Sequence, residues 1–133
     1  MIDSGHWICD NEIDLDAFGF IYEITNKLTN KKYIGKKQMI FKRRKKLRKG
    51  KVNRQVVTKE SDWKTYTGSN NDLNADIKIH GKESFEFKIL RFCKGKWELS
   101  YYEIAEQISR EVLLREDYYN GIINCRLGRV KKK

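Results

Sequence analysis

The chain has 133 residues, of which 39% are hydrophobic and 12% aromatic, and its net charge is +11. This composition predicts one globular domain with a small core and excludes a disordered chain. There is no run near the ~18 apolar residues of a membrane helix and no signal-peptide pattern, so we expect an intracellular, cytoplasmic protein. The three cysteines form no CxxC pair, so a disulfide framework is not expected.

The first predicted elements are an acidic N-terminal lead-in over residues 1–17 and a β-hairpin. Two runs rich in aromatic and branched residues flank a turn that has Asn26 and Asn30 at its corners. Folding the chain there would place Tyr22 and Tyr33 opposite each other or one position out of register. Directly opposed Cβ atoms lie about 4.5–5.5 Å apart, so the phenols either converge on one small site or are ordinary strand residues.

Positive charge dominates the part of the chain that follows the hairpin turn. Residues 31–54 contain thirteen basic residues and no acid, whereas residues 1–26 contain six acids and no Lys or Arg. A polyanion relieves the repulsion between so many cations by exchanging its condensed counterions for them. We therefore expect a nucleic-acid partner and no membrane partner, since the run lacks the apolar stripe of an interfacial helix.

Within this basic region, the spacing of Met39, Arg43 and Leu47 predicts a short helix over residues 38–47. The residues from 48 to 60 are basic and polar and are predicted to be an exposed loop. The sequence thus predicts a basic loop over 42–60, whose first thirteen residues include nine Lys or Arg.

Two more helices and a strand are predicted in the second half. A capping box, Ser-Asn-Asn-Asp at residues 69–72, opens a helix that ends at Gly81, and alternating apolar residues predict a strand over 84–93. The last helix is predicted over 97–114. Four apolar residues at i, i+4, i+7 and i+11 are expected to form its buried face: Tyr101, Ala105, Ile108 and Val112. The predicted order is β-β-α-α-β-α.

The hairpin carries the paired motif Gly-Phe-Ile-Tyr at residues 19–22 and Tyr-Ile-Gly at 33–35, which resembles the GIY-YIG nuclease superfamily. The wider patterns, Ile-Tyr-x-Ile-x-Asn and Asn-x-x-Tyr-Ile-Gly, are similar to phage homing endonucleases and their freestanding relatives. Phe20 is a departure, because it is inserted between the Gly and the Ile-Tyr pair. The resemblance implies one α/β (α+β) domain over 18–124, with a small three-stranded antiparallel sheet flanked by helices, followed by a basic tail over 125–133.

The resemblance also implies roles in phosphodiester hydrolysis, which needs a base for water and positive charge at the phosphate. Tyr22 matches the tyrosine that acts as general base or orients the water, and Tyr33 matches the one that bonds the phosphate or the water. Arg43, ten residues after Tyr33, matches the catalytic arginine; alternatively, Arg43 and Arg44 only hold the DNA backbone. Leu47 stands where many relatives carry a His, which argues against a His-dependent proton relay.

A metal-binding glutamate is implied on the last helix, where Glu103 and Glu106 are both candidates. Glu103 is preferred because apolar residues stand one and four positions before it, as in the family. It would bind Mg²⁺ or Mn²⁺. Asn120 resembles the Asn of the Tyr-Asn pair that closes the domain and would support the site, with an ordinary Asn-Gly turn as the alternative.

The function that the resemblance implies is a metal-dependent DNA endonuclease of phage homing-endonuclease type, acting in the host cell of a phage. The alternatives are a structure-specific or repair nuclease and a non-catalytic, basic nucleic-acid-binding protein on the same fold. A homodimer is one way in which both DNA strands could be cut. The candidate DNA contacts are the basic residues Lys36, Lys37, Arg44, Lys45, Lys46, Arg48, Lys49, Lys51 and Arg54.

Overall fold

The computed structural model describes residues 4–10, 12–44, 56–123 and 128–129, with residues 42–44 and 56–58 described as backbone only. None of the described helices is long and apolar enough to cross a membrane. The elements in chain order are β1 (Trp7–Cys9), β2 (Gly19–Asn26), β3 (Lys32–Gln38), β4 (Ile40–Arg44), β5 (Val56–Glu60), α1 (Asn71–His80), β6 (Phe85–Cys93) and α2 (Lys96–Ser109).

The main sheet has four strands in the order β1-β6-β2-β3. Its strands β6, β2 and β3 run antiparallel, as predicted. At the far edge β1 lies parallel to β6, with Trp7 paired to Phe87, so part of the predicted lead-in belongs to the sheet. The α+β class and the antiparallel core of the sheet are confirmed, with one more strand than the sequence indicated.

Both faces of the sheet are covered, because strand side chains alternate between them. Tyr22 and Ile24 of β2 join a buried cluster with Leu73 of α1. On the opposite face, Ile21 of β2 packs in a second cluster with Leu99 of α2. The strand β3 is an edge of this sheet, so groups from both layers can meet beside it.

The β2–β3 hairpin forms where it was predicted, but in a different register. Tyr22 pairs with Gly35 and Tyr33 pairs with Ile24, so the tyrosines lie on one face and are diagonal neighbours. The prediction of opposed or singly offset tyrosines is therefore wrong. The turn holds four residues between its closing pair, and it ends at Asn30, whose φ of 61° lies in the left-handed region that Asn tolerates.

The predicted helix over residues 38–47 is wrong, because β3 ends at Gln38 and residues 40–44 form β4. This strand pairs with β5 in a separate two-stranded sheet, so part of the predicted loop over 48–60 is also a strand. Both strands are rich in branched and aromatic residues, which favour pairing across strands. At the bend before β4, the Met39 N–H donates to the Phe18 carbonyl at 2.7 Å, and the Ser61 N–H donates to the Met39 carbonyl at 2.8 Å.

The helix α1 ends at Gly81, as predicted, with φ of 85° at that residue. Its N-cap is Asn70 and not Ser69, because the Asn70 Oδ1 accepts a hydrogen bond from the Leu73 N–H at 2.9 Å. The predicted order β-β-α-α-β-α is thus corrected to six strands, with α1 between β5 and β6 and α2 last.

The helix α2 is shorter than predicted and buries a different face. It ends at Ser109, where Glu111 takes a φ of 55° and the Val112 N–H bonds the Gln107 carbonyl at 3.1 Å, as in a Schellman motif. Two residues of the predicted buried face, Tyr101 and Ile108, are 49% and 61% exposed. The residues of α2 that are buried are Leu99, Ser100, Ile104 and Gln107.

Candidate active site

A cavity of about 370 Å³ lies beside β3, at the edge of the sheet. Five residues singled out from the sequence line it: Tyr22, Tyr33, Lys36, Glu103 and Asn120. They come from β2, β3, α2 and the segment after α2, and are up to 98 positions apart in the chain. The fold therefore brings together residues that the sequence could only nominate separately.

The two tyrosines occupy different environments in this cavity. Their ring centroids are 6.1 Å apart, but Tyr22 is 1% exposed whereas Tyr33 is half-buried. Burial raises the pKa of Tyr22 well above its usual value, and the neighbouring Tyr33, Tyr66 and Glu103 add to the shift. Burial also raises the pKa of Tyr33, against which a hydrogen bond with Ser69 acts. Both phenols are therefore neutral at physiological pH.

Two glycines make room for the Tyr22 hydroxyl group. A Cβ atom on Gly35 would lie 2.4 Å from the Tyr22 Oη, and one on Gly68 would lie 3.2 Å from it. Gly68 also has a φ of 85°, which disfavours a side chain. The glycine of the Tyr-Ile-Gly motif thus leaves the space that the tyrosine of the other motif occupies.

The outer edge of β3 is covered by side chains of α2 and of the segment after it. The backbone N–H of Ile34 donates to the Asn120 Oδ1 at 3.0 Å, and its carbonyl accepts from the amides of Asn120 and Gln107 at 2.8 and 3.0 Å. Two residues along the strand, the Lys36 Nζ lies 4.0 Å from the Glu103 Oε1, and a hydrogen bond with the Lys36 backbone acts to lower the pKa of Glu103. Covering an edge in this way blocks further strand pairing and fixes Glu103 at the cavity.

The chain matches a family model described as "Putative endonuclease segE, GIY-YIG domain" over residues 5–123. It belongs to the GIY-YIG nuclease superfamily. The match extends from before β1 to beyond α2, so the resemblance seen in the paired tyrosine motif is confirmed over the whole fold. Searches of curated proteins and of solved structures gave no match. The GIY-YIG domain supports a nuclease function and implies a DNA substrate.

The geometry of this GIY-YIG domain distinguishes the two candidate metal ligands, Glu103 and Glu106. The Glu103 side chain is 19% exposed and lines the cavity, with its Oε1 4.0 Å from the Lys36 Nζ. Glu106 lies outside it, where its Oε2 accepts a hydrogen bond from the Arg110 Nε at 2.9 Å. Burial raises the pKa of Glu103, and Lys36 opposes the shift. Glu103 is thus the carboxylate in contact with the cavity.

Nucleases of the GIY-YIG superfamily generally use a divalent metal, and the donor set here fits one. The described residues contain no group of three or more His, Cys, Asp or Glu side chains that could enclose an ion. Mg²⁺, however, is usually held by one or two carboxylates together with water and substrate phosphates. The single carboxylate of Glu103, beside an open cavity, fits an ion that takes its other ligands from water and DNA.

The other basic candidates are spread over three settings. The Lys36 ammonium group is 2.8 Å from the Ser100 Oγ and stays 41% exposed at the cavity. The Lys37 ammonium group is 2.6 Å from the Asp62 carboxylate and lies 4.1 Å from the centre of the Tyr66 ring. Arg43 and Arg44 belong to the strand β4 and not to a helix. The remaining candidates lie outside the described residues: Lys45, Lys46, Arg48, Lys49, Lys51 and Arg54.

Sequence reasoning missed six of the eleven residues that line the cavity of the GIY-YIG domain, and these include Tyr66, Ser69 and Gln107. Ser69 was assigned to a capping box, although it lines the cavity together with Tyr33. Gln107 is 5% exposed on α2, and a buried polar residue is a signal for a specific partner, which here is the Ile34 carbonyl. Tyr66 has no such signal in the sequence, because Tyr is also a common structural residue of strands.

Proposed function

We propose that this chain is a metal-dependent DNA endonuclease of the phage homing-endonuclease type, acting in the cytoplasm of a host cell. The observation that carries the proposal is the cavity that Tyr22, Tyr33, Lys36 and Glu103 share. These residues provide hydroxyl groups for a water molecule, a cation for a phosphate and a carboxylate for a metal ion. They are the functions that phosphodiester hydrolysis requires.

The tyrosines are proposed to handle the water and the phosphate. Tyr22, with its hydroxyl group held between Gly35 and Gly68, takes a proton from the attacking water. Since burial raises its pKa, Tyr22 is neutral before the reaction and must release its own proton as it accepts another. Tyr33 is more exposed and donates its hydroxyl proton to a phosphate oxygen, in an orientation that Ser69 holds.

Positive charge at the phosphate is proposed to come from Lys36 and Arg43. The Lys36 ammonium group can reach a phosphate from its bond with Ser100, while Arg43 is proposed from its spacing after Tyr33. Glu103 would hold the Mg²⁺ or Mn²⁺ ion. A bound divalent cation supplies further charge to the phosphate in the transition state and to the leaving oxygen.

The similarity to homing endonucleases supports the finer assignment of type. Sequence specificity is proposed to come from the basic residues between 42 and 60, from the chain termini, or from a second copy of the chain. Each chain brings one such cavity among its described residues, so a homodimer would be needed to cut both strands at one encounter. As a monomer, the protein would nick one strand.

The test is cleavage of supercoiled plasmid with Mg²⁺ and with EDTA. We expect cleavage only with the metal. Tyr22→Phe, Arg43→Ala and Glu103→Gln should each lower the cleavage rate at least about a hundredfold, because loss of general acid–base or charge assistance typically costs about 10²–10⁴-fold. Glu106→Gln is the matched control on α2 and should cleave like the parent.

The outcomes separate the alternatives. Plasmid that is bound and shifted but left intact, with metal and with EDTA, would replace the nuclease by a nucleic-acid-binding protein. Preference for branched or damaged DNA over an intact duplex would favour a repair enzyme. If Glu106→Gln abolished cleavage and Glu103→Gln did not, the assignment of the metal ligand would be wrong.

A further inference from the structure

The proposed chemistry leaves open where the proton of Tyr22 goes. The Tyr22 side chain is 1% exposed, so a phenolate there would lack the water that stabilises such a charge in solution. A neutral phenol can still accept a proton from water if its own proton leaves along a hydrogen bond at the same time. A second group must therefore lie within reach of the Tyr22 hydroxyl.

Tyr66 is in that position. Its ring stands almost perpendicular to the Tyr22 ring with centroids 6.1 Å apart, and it lines the same cavity. A hydrogen bond with its side chain contributes to the raised pKa of Tyr22. The alternative acceptor is Tyr33, whose ring centroid is also 6.1 Å from that of Tyr22, but the hydrogen bond that affects its pKa is one with Ser69. Tyr66 is also half-buried rather than enclosed, so it can exchange a proton with solvent in the cavity.

The surrounding residues hold Tyr66 in place from two sides. The Lys37 ammonium group lies 4.1 Å from the centre of its ring and is itself held by Asp62 at 2.6 Å. The Nε2 of His6 is 2.8 Å from the Tyr66 carbonyl, and the Lys82 Nζ is 3.3 Å from the His6 Nδ1. An ammonium group can only donate, so Nδ1 is the acceptor and Nε2 carries the hydrogen that the carbonyl receives.

We propose that Tyr66 is the proton acceptor for Tyr22 during cleavage, an inference that rests on the proposed nuclease function. As the water attacks phosphorus, one of its O–H bonds breaks and that proton passes to the Tyr22 oxygen. The proton that Tyr22 held passes to the Tyr66 oxygen, and the proton of Tyr66 passes to a solvent water. The electron pair of the broken O–H bond forms the new P–O bond, and the leaving oxygen departs with the pair of the old one.

This order of proton transfers explains how a deeply buried tyrosine can act as a base. Both phenols are neutral before and after the transfer, so no charge is left beside Glu103 in the cavity. The role is specific to the hydroxyl group of Tyr66, since a phenyl ring would still pack against Tyr22 and under Lys37. Tyr66→Phe therefore removes the relay and keeps the packing.

The experiment measures single-turnover cleavage of plasmid by the full chain with saturating Mg²⁺. Tyr66→Phe should cleave about a hundredfold more slowly than the parent, with unchanged DNA affinity and melting temperature. Tyr101→Phe, a half-exposed tyrosine outside the cavity, is the matched control and should cleave like the parent. In mixtures of H₂O and D₂O, a plot of the parent rate against the D₂O fraction should be curved, because several protons move in the same step.

Three results would overturn the relay. If the parent cleaves and Tyr66→Phe cleaves equally fast, Tyr66 has no such role, although the nuclease function stands. If the parent rate depends linearly on the D₂O fraction, one proton moves and the relay fails, whatever the folding of the variant. If the parent does not cleave with metal at all, the proposed function fails and the relay fails with it.

Discussion

At the scale of single residues, the position of the Tyr22 hydroxyl group depends on the absence of a side chain at Gly35. A methyl group on Gly35 would lie 2.4 Å from the Tyr22 Oη and 3.0 Å from the Tyr33 ring. Tyr22 is fully enclosed, so its hydroxyl group cannot move away without disturbing its neighbours. The motif glycine is thus required by the position of the Tyr22 hydroxyl group.

We therefore predict that Gly35→Ala displaces the Tyr22 hydroxyl group. Cleavage should fall at least about tenfold, because a misplacement of about 1 Å at the reacting groups can cost up to about 10²-fold. Gly95→Ala is the control, since nothing lies within 4 Å of its added methyl group. Cleavage assays and thermal unfolding on both variants provide the measurement. Equal activity of Gly35→Ala and the parent would show that Tyr22 is not confined as described.

A second prediction concerns Glu103, whose pKa burial raises although Lys36 opposes the shift. The folded protein then holds this proton more tightly than the unfolded chain, so stability is lost as the pH rises through the two pKa values. Glu103→Gln should raise the melting temperature at pH 7, and the gain should vanish below the pKa of an unfolded glutamate. Mg²⁺ should raise the melting temperature of the parent and not of this variant.

Glu106→Gln is the control for that prediction, because it removes a carboxylate that is paired with Arg110 outside the cavity. It should not raise the melting temperature, and it should keep the response to Mg²⁺. If Glu103→Gln responded to Mg²⁺ as strongly as the parent, Glu103 would not be the metal ligand.

At the scale of elements, the N-terminal strand braces the turn that carries Tyr66. The His6 N–H donates to the Lys64 carbonyl at 3.2 Å, the His6 ring bonds the Tyr66 carbonyl, and the Trp7 indole N–H bonds the Trp63 carbonyl. The His6 ring also stacks on Phe87 with centroids 3.9 Å apart. A segment that the sequence marked as an acidic lead-in thus takes part in the core next to the site.

The contacts of His6 should make the stability of the N-terminal strand β1 sensitive to acid. Burial first, and then the charge of Lys82, lowers the pKa of His6 from 6.5 to about 4. The unfolded chain therefore binds this proton more readily, and the stability due to neutral His6 is lost as the pH falls from 6.5 towards 4. We predict that the melting temperature of the parent falls more steeply over this window than that of His6→Gln, which keeps a donor and does not titrate.

His80→Gln, at the exposed second histidine, should behave like the parent. The measurement is thermal unfolding at a series of pH values between 7.5 and 4.5. Parallel curves for the parent and His6→Gln would contradict the neutral, buried state of His6.

The elements also show what the sequence could and could not predict. The hairpin, α1 and β6 were predicted because strong local signals, such as Asn in the turn and Gly81 at a helix end, agree with the tertiary structure. The prediction of a helix at β4 failed because the apolar spacing of this segment fits a helix. The partner strand β5, which decides its structure, lies more than ten residues further along the chain. Local pattern alone cannot weigh such a pairing.

The prediction of the buried face of α2 failed because polar residues occupy the side that packs on the sheet. Its buried side carries Ser100 and Gln107, and Glu103 on the same side faces the cavity, so polar residues occupy the positions where periodicity expects apolar ones. The apolar stripe with Tyr101 and Ile108 remains exposed. Positions that serve a site are where a hydrophobic pattern is expected to mislead. The two tyrosines and Glu103 were instead selected as candidate site residues from the motif and from the resemblance to the family.

At the scale of the whole molecule, charge is divided between two parts of the chain. The first 26 residues carry six acids without a Lys or Arg, and residues 31–54 carry thirteen basic residues without an acid. Several cations of the described region are neutralised within the protein, such as Lys37 by Asp62 and Arg110 by Glu23 and Glu106. We therefore expect the basic run after β4 to supply much of the long-range attraction to DNA.

The last prediction tests this expectation by the salt dependence of DNA binding. For a protein on duplex DNA, each phosphate contact contributes about −0.9 to the slope of log K against log salt concentration, because each contact releases counterions. Replacing Lys45, Lys46, Lys49 and Lys51 by Ser should weaken binding and flatten the slope by up to about 3.6. A variant with the same loss of charge elsewhere, Ser at the exposed Lys27, Lys78, Lys94 and Lys96, should keep a steeper slope. If both variants flatten the slope equally, attraction to DNA arises from net charge alone, and the basic run is not a contact surface.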